Sequence, residues 1–474
     1  MATVNIFGGS VRVAGERTVS MGAIPGGVDT SQQPPMTVPL RHFVVGLGFL
    51  LAGTLVGIGH AADAIDGLAG LAHVHLLLVG WVCVTIMGAM TQFVPVWTGA
   101  QLHSRRLANL QLVLVVVGLL AFVAGLLTVE LEWLAVAGAA MLAGFWTFVY
   151  NVGRTLATVE SLDVTERHFA LALGFFLVLT LLGVLLAADF TRPLLVDRPV
   201  TRIGVVDAHA TVAVFGAVVT TIYGALYQLG TMFTQTELHG IDHRLRTVEE
   251  VGHPLGVVLL AGGRLFEVVP VARIGGLLLV IAALAFATIL FRKLYEMQVP
   301  RTPMHTRYAV AAVAMASWAL LAAPAWLTEP TAVEHRFGGA GSSHLLFLGV
   351  VGFVVLGTLY HIVPFVVWVH RYSDQLGFEP VPMIDELYDD RIAALDGTLL
   401  VAGTVALVAW ELLALPQTVV AGAGGLVALG VLAFLANVLL VLVRHSPQPL
   451  DRIVFGSLSP RRSPEIAEEP PAES

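Results

Sequence analysis

The sequence predicts an all-α polytopic membrane protein: twelve transmembrane helices in three parallel four-helix repeats. Three observations lead there. Hydrophobic residues make up 57% of the 474-residue chain and charged residues only 12%, about half the charged share of a soluble domain. Apolar stretches of about 20 residues, the length that crosses a hydrocarbon core, recur along the chain. One of these stretches occurs in three related copies. The composition excludes a cytosolic enzyme, a nucleic-acid binder and a secreted disulfide scaffold. The single cysteine, Cys83, allows no intrachain disulfide.

Residues 1–38 are polar and Gly-rich, without the apolar run of a signal peptide, and read as a cytoplasmic N-terminal segment. The membrane domain, 39–444, holds spans at 40–59, 71–97, 107–128, 131–152, 167–188, 205–233, 251–270, 272–292, 307–327, 342–369, 391–414 and 417–443. The seventh and eighth are parted at Pro270, where Arg264 and Glu267 interrupt the apolar pattern and read as a pair at a helix end. Residues 445–474, rich in Pro, Ser and Glu, read as a disordered cytoplasmic tail.

Arginine in the short loops sets the orientation. Arg105 and Arg106, Arg154 and Arg167, Arg244 and Arg246, then Arg292, Lys293 and Arg301 follow the even-numbered spans. Acidic residues (Asp63, Asp66, Glu130, Glu132) follow the first and third. Both termini are therefore expected in the cytoplasm, with the chain in the plasma membrane. Arg192, Arg198 and Arg202 dissent, partly offset by Asp189 and Asp197.

The repeat is carried by the second, sixth and tenth spans. Aligning Gly88 with Gly224 and Gly357, steps of 136 and 133 residues, also aligns Gly80, Gly216 and Gly349. It aligns Gln92, Gln228 and His361, sets Pro95 on Pro364, His73 on His209, and His75 on His344. Four spans per step give copies of one orientation, related by an axis along the membrane normal. The units are roughly 39–152, 167–292 and 307–443.

Sixteen histidines in so apolar a chain are the chemical surplus, because ionisable groups inside spans are costly and mark sites. His75 and His344 enter at equivalent depth on different helices and could ligate one metal from opposite faces. Haem iron suits such a pair, with apolar walls around the macrocycle. His73 lies two residues from His75, so the two point about 200° apart, and either could be the ligand. His209 is a weaker candidate, with Asp207 near enough to tune it. His60 and His335 read as interfacial. Gln92, Gln228 and His361 mark the cytoplasmic mouth, near His253, with Glu249 and Glu250 in an adjoining loop. His103, His239, His243, His305, His370 and His445 read as solvated loop residues.

Twelve spans in three parallel repeats, with histidines entering on the second, sixth and tenth, resemble the haem–copper oxidase subunit I superfamily. The His73–Gly99 stretch, closing in ProValTrpThrGly from Pro95, is also similar to the NnrS-type haem proteins linked to nitric oxide metabolism. The resemblance implies a low-spin haem between His75 (or His73) and His344. An oxidase carries His-x-His on its tenth helix, and here the first position is Ser342. Its second metal needs a histidine on the sixth helix and a His-His pair on the seventh. This chain offers His209 but no pair, and His253 opens the seventh span from the opposite side.

The implied protein is a degenerate member with one b-type haem and no binuclear centre, copper or non-haem iron not being expected. It would serve electron transfer or nitric oxide and oxygen sensing, with membrane lipid, a redox partner protein or a gas ligand as partners. No catalytic residue is assigned. Two alternatives stand beside it: an active oxidase or nitric oxide reductase with an unconventional site built on His73 and His209, and a transporter without haem.

Overall fold

The computed structural model describes residues 34–456, and no strand forms among them. The long helices are α1 (Thr37–Ala61), α2 (Ala69–Thr98), α3 (Arg105–Thr128), α4 (Leu131–Leu156), α5 (Val164–Asp189) and α6 (Arg202–Thr234). They continue as α7 (Ile241–Leu265) and then α8 (Val269–Tyr295), α9 (Pro303–Thr328), α10 (Ser342–Arg371), α11 (Asp390–Leu413) and α12 (Gln417–His445). Eleven of these are long and apolar enough to cross a membrane. The exception is α7, whose first half carries Asp242, Arg244, Arg246, Glu249 and Glu250. A short α13 (Leu450–Phe455) lies in the stretch that reads as a disordered tail. It buries Ile453, whose carbonyl accepts from Arg41 Nε at 2.8 Å. The polar segment before residue 34 and the tail beyond 456 lie outside the described residues.

Local chemistry starts the helices where it should. The Ser104 hydroxyl accepts from Leu107 N–H at the head of α3, Asp163 forms a capping box with Glu166 for α5, and Asp389 caps α11. The seventh and eighth spans are separate helices, parted at Phe266–Val268 with Pro270 in the first turn of α8. Arg264 and Glu267 do not pair as expected. The Glu267 carboxylate accepts from Thr201 Oγ at 2.9 Å, while Arg264 turns inward. The two helices cross in direct backbone contact: a Cβ on Gly275 would lie 2.2 Å from Leu260 N.

α2, α6 and α10 are each interrupted by eight π-helical residues: Leu76–Cys83, Val212–Val219 and Leu345–Gly352. At their ends Val84, Thr220 and Phe353 donate N–H to the carbonyl five residues back, at Val79, Phe215 and Leu348. The segments start 136 and 133 residues apart, the same steps as the sequence alignment. Gly80, Gly216 and Gly349 each hold the fifth position of their segment. Such wide turns are rare and are frequently found at functional sites.

Helices pack in series along three arcs that share α2, α6 and α10, and the packed interior of each arc is its chamber. One is ringed by α2, α3, α4, α5 and α6, one by α6, α7, α8, α9 and α10, and one by α10, α11, α12, α1 and α2. α2, α6 and α10 thus each wall two chambers, and a side chain on them faces one or the other.

Candidate functional site: histidines at the N-terminal ends of α2, α6 and α10

His73, His75, His209 and His344 are all half-buried, within two turns of the start of their helices. Each uses Nδ1 for a hydrogen bond, while Nε2 bonds to no described residue. His73 Nδ1 meets Gly53 O of α1 at 2.7 Å, and His209 Nδ1 meets Leu179 O of α5 at 2.9 Å. His75 Nδ1 bonds within its own helix to Leu71 O at 2.9 Å. His344 Nδ1 meets the Glu411 carboxylate of α11 at 2.8 Å. A ring that donates from Nδ1 presents Nε2 as a lone pair, the tautomer and orientation that a metal-binding imidazole needs.

His73 and His209 are seated alike. A Cβ on Gly57 would fall 2.5 Å from the His73 ring, and one on Gly183 would fall 3.1 Å from the His209 ring. Only glycine leaves room for an imidazole held flat against the neighbouring helix. The position that aligns with them on α10 is Ser342, whose buried hydroxyl has no partner among the described residues.

The structure sorts the four candidates by chamber. His73 leans on α1 and His344 on α11, so both face the chamber walled by α10, α11, α12, α1 and α2, where each lies within electrostatic reach of the other. His75 faces the opposite way, its ring 4.9 Å from Phe122 of α3. It shares its chamber with His209, again within electrostatic reach. His344 is thus brought to the side of His73, and His75 to the side of His209.

The third chamber holds no histidine at the equivalent level. Buried Arg264 of α7 fills it, donating to Thr211 Oγ (2.8 Å), Pro330 O (2.9 Å), Arg336 O (2.9 Å) and His335 O (3.0 Å). Trp326 and Trp318 close it, donating to His335 O and Phe337 O. His253 is buried lower down, its Nε2 2.9 Å from Phe215 O and 3.1 Å from Thr220 Oγ in the π-helical turn.

Sequence reasoning missed a second tier of polar groups nearer the other ends of these helices. His42 of α1 faces Gln111 of α3 at 3.5 Å. His168 of α5 meets Glu249 of α7 at 3.1 Å, and Arg307 of α9 pairs with Asp396 of α11. Tyr227 and Tyr360 donate to the Glu249 and Asp396 carboxylates. Gly88, Gly224 and Gly357 sit directly against His42, His168 and Arg307. Glu249, read as a loop residue, is fully buried within α7. The same correction applies to His305, which is buried at the head of α9 with Nε2 donating to Phe233 O at 3.0 Å. His361 is half-buried against Phe233, and His103, His239, His243 and His370 are exposed.

His239, Asp242 and Glu296 form the one trio of potential metal donors found among the described residues. Cations already occupy its carboxylates: Lys293 Nζ lies 3.0 Å from Asp242 and 2.6 Å from Glu296, and Arg292 Nε lies 2.6 Å from Asp242. The Lys293 ammonium holds the Glu296 carboxyl below the usual carboxylate range. The trio is an ion-pair clasp between α7 and α8. No protein-family model matches the chain, and no curated protein matches it.

Proposed function

We propose that the protein is a haem-binding membrane protein related to haem–copper oxidase subunit I, with twelve spans in three parallel four-helix repeats. One b-type haem would lie between α2 and α10, held by His344 and by His73, with His75 as the other candidate on α2. The observation that carries this reading is the His344–Glu411 hydrogen bond beside His73 bonded to Gly53 O, both rings leaning on the arc of α11, α12 and α1 with Nε2 bonded to no described residue. A carboxylate behind an axial imidazole fixes the ring and raises its basicity. The repeat is supported by the matching steps of the π-helical segments, and by the buried pairs His42–Gln111, His168–Glu249 and Arg307–Asp396, which recur every four helices though not at equal residue steps.

The residues present fit such a group. Two imidazoles alone cannot complete the shell of a bare zinc or copper ion, whereas a macrocycle supplies the remaining donors. When bound, haem would supply reversible one-electron transfer and, on loss of one axial imidazole, a place for a gas ligand. Glu411 orients His344, the Gly53 carbonyl orients His73, and Gly57 leaves the room that keeps the His73 ring against α1. Arg264, Trp318 and Trp326 occupy the chamber next to α7 where a second metal would be needed, which favours electron transfer or sensing over turnover of oxygen or nitric oxide.

Absorption spectra of the purified protein, oxidised and reduced, with and without nitric oxide, test the reading. We expect a Soret band that His344→Ala removes in large part and His361→Ala leaves intact. Absence of a chromophore in the wild-type protein would overturn it.

A further inference from the structure

α2 carries two histidines, and haem at His73 and His344 uses only one. Two residues on a helix are turned about 200° apart, so His73 and His75 look into different chambers, as their partners on α1 and α3 demonstrate. The chamber that His75 faces receives His209 from the opposite wall. His209 is seated as His73 is, with Nδ1 on a carbonyl of the preceding long helix and a glycine beneath the ring. Both imidazoles leave Nε2 without a described partner. The surroundings are apolar and aromatic: Phe122 lies against His75, and Phe145 and Phe176 stack at 5.3 Å between α4 and α5.

We infer that this second chamber, between α2 and α6, is a second bis-histidine site, with His75 and His209 as axial ligands to a second haem. The inference rests on the proposed function for the identity of the cofactor. Its independent support is the donor set: two imidazoles on the same arc, each with Nδ1 already bonded, and neither belonging to the one trio of potential metal donors found among the described residues. Such a pair suits a metal whose equatorial positions are filled by a macrocycle. The third chamber supplies the contrast. The positions equivalent to His75 and His209 there are Thr211 and Ser342, and Arg264 donates to Thr211 Oγ in the space between α6 and α10. Histidine pairs therefore occupy the two chambers that α2 walls, and His73-Val74-His75 joins them through little more than half a turn of helix. With both sites loaded, His73 and His75 would hold the two groups on either side of α2, where the pair would supply electron transfer.

The test is haem stoichiometry in the purified full chain, by pyridine haemochrome against protein concentration, with low-spin signals counted by electron paramagnetic resonance. Two haems per chain are expected, falling to one in His209→Ala, one in His344→Ala and none in the double variant. His209→Met should keep two haems and shift one low-spin signal, because thioether ligation preserves the site and raises its potential. The haem remaining in His209→Ala reports that the variant is folded. One haem in the wild-type protein, lost in His344→Ala and untouched in His209→Ala and His209→Met, would overturn the second site and leave the first standing. One haem lost in His209→Ala but retained in His344→Ala would uphold the second site and overturn the first. No haem in the wild-type protein, or copper in place of iron, would overturn both.

Discussion

Arg264 is held by four oxygens, and no carboxylate bonds to it. Its nearest acid, Asp207, bonds to Arg336 at 2.6 Å. A charge so buried persists only if its donors are matched, and here three backbone carbonyls and Thr211 Oγ match them. The arginine in turn ties α7 to α6 and to the segment between α9 and α10. Arg264→Met keeps the bulk but leaves Pro330 O and Arg336 O short of donors, His335 O keeping the indole of Trp326, and each buried unsatisfied group costs about 1–3 kcal/mol. The expected loss is about 3 kcal/mol, read as a lowered thermal midpoint of the purified protein. Haem per folded chain should stay at its wild-type value, because Arg264 touches neither histidine pair. From sequence, Arg264 was visible only as an interruption near a helix end, since its partners are a hydroxyl and three carbonyls 53 to 72 residues away.

At the scale of the element, the helices were legible because burial in lipid demands long apolar runs. The α2 boundaries differ from the expected 71–97 by no more than two residues. α7 was the hard case, for a physical reason. Its first ten residues are rich in charge, so hydropathy starts the span at 251, whereas the helix begins at Ile241 and buries Asp242 and Glu249 against partners on α8 and α5. The π-helical turns could not be told from ordinary helix by composition, since an apolar run such as LLLVGWVC fits any buried helix. Only the steps of 136 and 133 residues marked their places. Glycine at the α7–α8 crossing is where the element can be tested. A Cβ on Gly275 would meet Leu260 N at 2.2 Å and Leu260 Cα at 2.8 Å, so backbones rather than side chains must part. Gly275→Ala should cost about 1–3 kcal/mol, the range for an overpacked core. Gly262→Ala, with nothing within 4 Å of the added Cβ, should be neutral or slightly stabilising, since alanine is the better helix former. Thermal unfolding of the two variants side by side gives the comparison.

For the whole molecule, the sequence named the four histidines but not which side of the bundle each one faces. The 3.6-residue helical turn dictates that His73 and His75 diverge. Which chamber each enters depends on how α1 and α3 pack on α2, and that packing is long-range. His42 and His168 were missed for a related reason: they match each other only when α1 is laid on α5, and those helices share little sequence pattern beyond general apolarity. The chamber arrangement requires α7 to run the full depth of the bundle, because it walls the third chamber from Glu249 to Arg264. Asp242, Glu249 and Arg264 are then buried against protein rather than offered to lipid, as intramembrane ionisable groups must be. This gives a topological prediction that hydropathy alone does not. In a Cys83→Ser background, cysteines placed at Glu237, between α6 and α7, and at Phe266, between α7 and α8, should react with a membrane-impermeant maleimide from opposite faces. Both side chains are exposed, so accessibility is not in question. Labelling of both from the same face would mean that α7 does not cross. α8 and every later helix would then be inverted, and α10 would no longer enter from the same side as α2 and α6. His344 could then not share a level with His73, and the proposed parallel repeat would fail with it.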